Sequence, residues 1–66
     1  MLRERFLNVY TLVFDEQGYV KLCERHACIE LINLANQIAP GIDYGNACTG
    51  MINIQALRDL HQKLTR

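Results

Sequence analysis

The chain has 66 residues, of which 50% are hydrophobic and 21% charged, so it is one small globular domain, residues 1–66, rather than a disordered segment. Seven Lys and Arg balance seven Asp and Glu, and a formal net charge of zero excludes a polybasic arm or an acidic tail as the working part. No apolar run approaches the roughly 18 residues of a spanning helix, and the charged opening Met1-Leu2-Arg3-Glu4-Arg5, with Asp15 and Glu16 soon after, does not read as a secretory signal.

Residues 6–14, Phe-Leu-Asn-Val-Tyr-Thr-Leu-Val-Phe, are rich in branched and aromatic side chains, which suit a pleated surface. They predict a strand with Val9, Thr11 and Val13 on one face and Tyr10, Leu12 and Phe14 on the other. Asp15-Glu16-Gln17-Gly18 reads as a turn, and residues 19–23 as a second short strand, completing a β-hairpin. A helical alternative exists, because Leu2, Phe6, Val9 and Val13 also form an apolar stripe at spacings of four, three and four.

Residues 24–39 carry the clearest helical pattern. Ala27, Leu31, Leu34 and Ile38 make a stripe that Cys28, Ile32 and Ala35 widen. Glu24 suits the positive end of its dipole, and Pro40-Gly41 ends it. Residues 41–52 read as a loop whose apolar members Ile42, Tyr44, Met51 and Ile52 pack down. Residues 54–65 form a last helix with Asn53 as N-cap and an apolar stripe of Ile54, Leu57, Leu60 and Leu64. The expected fold is therefore α+β, an N-terminal β-hairpin followed by two α-helices. The alternative is an all-α three-helix domain with residues 2–14 helical.

A domain near 60 residues buries only about 60% of the surface its unfolded chain exposes, and such chains lean on disulfides, a metal or a partner subunit. Three cysteines, Cys23, Cys28 and Cys48, are an odd number, which favours a reducing, cytoplasmic setting over a disulfide framework. Together with His26 they supply four potential zinc ligands. The spacing lacks a tight knuckle, and His26 and Cys28 are two apart on a helix, so no metal and no cofactor is expected. Cys23, beside His26 near a helix start, is the best candidate nucleophile. No phosphate loop, paired-carboxylate motif or C-x-x-C accompanies it, so no catalytic residue is assigned.

Two binding readings remain. Oligomerisation is the staple left over, so the expected function is a small non-enzymatic protein-interaction module, homodimeric and regulatory, with Tyr10, Leu12, Phe14, Tyr19 and Tyr44 as its contact residues. On that assignment Leu12→Glu or Ile32→Glu should unfold or dissociate the protein. The alternative is a small DNA-binding regulator of the size found in phages and plasmids, presenting Arg58, Gln62, Lys63 and Arg66 on its last helix. A net charge of zero supports phosphate contacts poorly.

Overall fold

The computed structural model describes residues 1–22 and 24–66 and is built on three helices. These are α1 (Leu2–Val13), α2 (Arg25–Ile38) and α3 (Ile54–Leu64). A two-stranded antiparallel sheet, β1 (Gly45–Asn46) and β2 (Met51–Ile52), sits between α2 and α3 and pairs Gly45 with Ile52 and Asn46 with Met51. The N-terminal β-hairpin expected from the sequence is absent, and residues 6–13 are helical instead.

The physical reason lies in what can be covered. A strand over these residues has two largely apolar faces, whereas the layer beside it covers one. As a helix the same residues gather Phe6, Val9, Tyr10 and Val13 onto a single buried face and leave Asn8, Thr11 and Leu12 in solvent. Intrinsic strand preference is small and is overridden by this packing. The exposed Thr11 turns its hydroxyl back to the Asn8 carbonyl at 2.8 Å. One remnant of the hairpin survives: the expected turn is present, with Gly18 at φ +88° donating to the Asp15 carbonyl, but it joins a single bridge between Phe14 and Val20. Cys23, at the end of the expected second strand, lies outside the described residues.

The α2 start is capped by Glu24, whose carboxylate accepts the His26 and Ala27 amides, both at 2.9 Å. Those bonds hold its carboxyl below the usual range. The helix ends at Ala39, before Pro40-Gly41. Residues 41–52, expected to be irregular, hold β1 and β2 and are fixed from three sides. Tyr44 is buried and donates its hydroxyl to the Ala39 carbonyl at 2.7 Å. Arg25 donates to the Cys48 carbonyl at 2.7 Å. Asn53 caps α3 by accepting the Ala56 amide and also donates to the Asp43 carbonyl at 2.8 Å. Ile42 and Met51 do not pack down; both are exposed.

The core sits where α1 and α2 face each other and is closed by α3. Phe6, Val13, Leu31, Ile32, Tyr44 and Leu57 are fully or almost fully buried there. Arg3 ties α1 to α3 by donating from Nε and Nη2 to the Leu64 carbonyl at 3.2 and 2.6 Å, the negative end of that helix. On the opposite flank Arg5 pairs with Glu30 of α2, with Nε to Oε2 at 2.6 Å. No helix among the described residues is long and apolar enough to cross a membrane.

Candidate functional site

The main concavity is a groove of about 580 Å³ bounded by the end of α1, the loop 15–21 and one flank of α3. Its floor is aromatic. Tyr10 stacks on Phe14 with ring centroids 4.4 Å apart and planes 15° apart, and on His61 at 3.9 Å and 10°. Phe6 continues the row behind Tyr10 at 6.0 Å. The row follows from spacing, since positions 6, 10 and 14 recur every four residues along α1 and its cap. Burial pushes the Tyr10 phenol up, opposed by the positive charge of Arg58.

The loop wall is held by local hydrogen bonds. Asp15 Oδ1 accepts the amides of Gln17 and Tyr19 at 3.0 and 2.9 Å, and the Asp15 amide donates to the Tyr19 carbonyl at 2.8 Å. Gly18 is itself buried, and a Cβ there would stand 2.7 Å from Arg58 Nε. The missing side chain therefore makes room for the guanidinium against the loop backbone.

The α3 wall carries Arg58, His61, Gln62 and Thr65, at spacings of three, one and three, which is one helical flank beside the apolar stripe. Arg58 is half-buried and makes no hydrogen bond or ion pair among the described residues. Arg3, Arg5 and Arg25 each have a protein acceptor.

Burial against Tyr10 lowers the His61 pKa from its ordinary 6.5. The charged groups around it in the groove are Asp15, Glu16, Lys21 and Arg58. The unfolded chain thus takes up a proton near pH 6.5 that the folded chain refuses until the pH is lower. Stability is expected to fall as pH falls through that window, with Glu24 adding its own loss only below about pH 4.5. Urea midpoints measured from pH 7.5 to 5.5 should decline, and His61→Gln should flatten the decline. A midpoint independent of pH in the unmodified protein contradicts the half-buried neutral imidazole.

The contact residues inferred from sequence are divided by the fold. Tyr10, Phe14 and Tyr44 fill the core, with Tyr10 and Phe14 forming the groove floor, while Leu12 and Tyr19 are exposed at 57% and 68%. Leu12 therefore has no packed environment for a glutamate to disrupt, unlike Ile32 at 1%. The four residues assigned to DNA also separate. Arg58 and Gln62 line the groove with Asp15 and Glu16. Lys63 lies on the other flank of α3 beside Asp59, and Arg66 is exposed past the helix end. Sequence reasoning missed His61 and Thr65 as groove residues; their spacing with Arg58 was the available signal. It also missed the approach of Gly18 to Arg58, which no local pattern encodes.

Among the described residues no three His, Cys, Asp or Glu side chains gather as a metal site. Cys48 is exposed, and Cys23, part of the candidate ligand set, is outside the described residues. No protein-family model, curated protein or solved structure matches the chain.

Proposed function

We propose that the chain is a small non-enzymatic interaction module, working in the cytosol, that receives a segment of a partner protein in the groove between α1, the loop 15–21 and α3. The observation that carries this reading is Arg58, a half-buried cation without an acceptor among the described residues, at the side of the groove. A guanidinium taken partly out of water costs stability unless it gains a partner. An external acceptor supplies one.

The groove, at about 580 Å³, falls within the size range of small-ligand sites. Among the described residues its lining holds no cysteine, and the histidine there is stacked flat on Tyr10. The homodimer expected from the sequence stays part of this proposal, with Leu12, Tyr19 and Met51 exposed outside the groove lining as surface for it. The regulator alternative is less well supported: Arg58 and Gln62 lie on one flank of α3, Lys63 on the other and Arg66 past its end, and acidic side chains share the groove with the first two.

Selection of displayed random peptides on the unmodified protein tests the proposal. The expected result is a convergent motif whose affinity drops at least about tenfold on Gln62→Trp, which puts a large ring at the exposed rim of the groove. No convergent motif, or a motif that binds the variant equally well, overturns it.

A further inference from the structure

The chemistry of the groove narrows what it accepts. Arg58 offers a planar fork of donors that matches a carboxylate with two parallel hydrogen bonds. It lies against the Gly18 backbone, where an added Cβ would stand 2.7 Å from its Nε. Beside it lies the His61 ring, stacked on the buried Tyr10 and itself only half-buried, so its outer face favours an apolar or aromatic group next to the anion.

The charge lining the groove is mixed. Lys21 and Arg58 are balanced by Asp15 and Glu16, so the lining is formally neutral with His61 uncharged. A single negative charge held at the guanidinium is tolerated there. A phosphate dianion or a polyphosphate backbone meets two carboxylates and an apolar floor. Gln17, Gln62, Thr11 and Thr65 add amide and hydroxyl groups of both hydrogen-bonding senses around the opening, which suit backbone amides.

We infer that the occupant is a peptide segment bearing a carboxylate next to an apolar side chain, with Arg58 as its anion anchor. This inference rests on the groove being the binding face. The carboxylate seats on the guanidinium, and the apolar neighbour lies against the face of His61 turned away from Tyr10.

The test is amide-resolved NMR titration of the full chain with three probes: N-acetylphenylalanine as the free acid, its C-terminal amide, and inorganic phosphate. The acid is expected to shift groove resonances from both walls, residues 15–21 and 58–65, and to bind at least about tenfold more tightly than the amide. Arg58→Gln should abolish that difference, and Arg58→Lys should keep only part of it, because an ammonium lacks the fork. Equal binding of acid and amide by the unmodified protein overturns the inference whatever the variants do. So does phosphate binding in the groove as tightly as the acid, or no groove shift with the acid. Selected peptides that occupy the groove but carry no acidic group sink the anchor while leaving the interaction module standing. Failure of the peptide selection sinks the module itself.

Discussion

Phe6→Ala is expected to leave the chain largely unfolded at 25 °C, seen as loss of the helical far-UV signal and of a cooperative urea transition. Phe6 is fully buried, where α1 meets the rest of the core and where its ring begins the row that continues through Tyr10. Removing a buried phenylalanine side chain costs about 3–5 kcal/mol. A core in a domain below about 70 residues rarely supplies more than about 3–5 kcal/mol in total, so the loss is comparable to the whole stability. Leu12→Glu is the companion experiment. At 57% exposure its side chain leaves little packing behind, and the change should stay within about 0.5 kcal/mol. The pair separates the helix from a strand, because a strand over residues 6–14 puts Leu12 on the same face as Tyr10 and Phe14. Unfolding by Leu12→Glu with tolerance of Phe6→Ala would reverse the assignment of α1.

The second large effect is expected at Gly45. It opens β1 at φ +129° and faces Ile52 across the pair. A Cβ there would overlap the Met51 carbonyl oxygen and stand 2.8 Å from Ile52 Cα, and neither backbone atom can swing aside. Gly45→Ala therefore combines backbone strain of about 1–3 kcal/mol with an overpacking cost of similar size, about 3 kcal/mol or more in all. The damage spreads because Tyr44 and Asn53 flank the pair, with the Asn53 amide donating to the Tyr44 carbonyl at 2.9 Å. Gly41→Ala is the control: φ is also positive at +92°, but nothing lies within 4 Å of the added carbon, and about 1–2 kcal/mol is expected. Equal losses at the two glycines, measured by urea denaturation, would mean that strain alone matters and that the strand contact does not.

How much of this was legible in the sequence differs by element, for physical reasons. The second and third helices announce themselves, since their apolar spacing agrees with capping residues at their starts and, for α2, with Pro40-Gly41 at its end. Local preference and tertiary packing point the same way there. In residues 6–14 they disagree. The side chains favour a strand, the stripe through Leu2, Phe6, Val9 and Val13 favours a helix, and only the partner surface of α2 decides. β1 and β2 were invisible because two-residue strands containing Gly45 and Asn46 have no preference to display; their pairing is imposed by Tyr44, Arg25 and Asn53 around them. The groove was half visible. Arg58 and Gln62 stood out as polar residues on the last helix, but their surroundings come from α1 and the loop, more than 35 positions away in the chain.

The hold of Arg3 on the Leu64 carbonyl sets the first turn of α1 beside the last turn of α3. Both ends of the described chain thus emerge from one corner of the molecule, and Thr65 at that corner also borders the groove. Any tag, label or neighbouring domain joined after Arg66 starts its path next to the opening. Its length and charge become part of the local environment a ligand meets, so the same module can be given different access by what is attached to it.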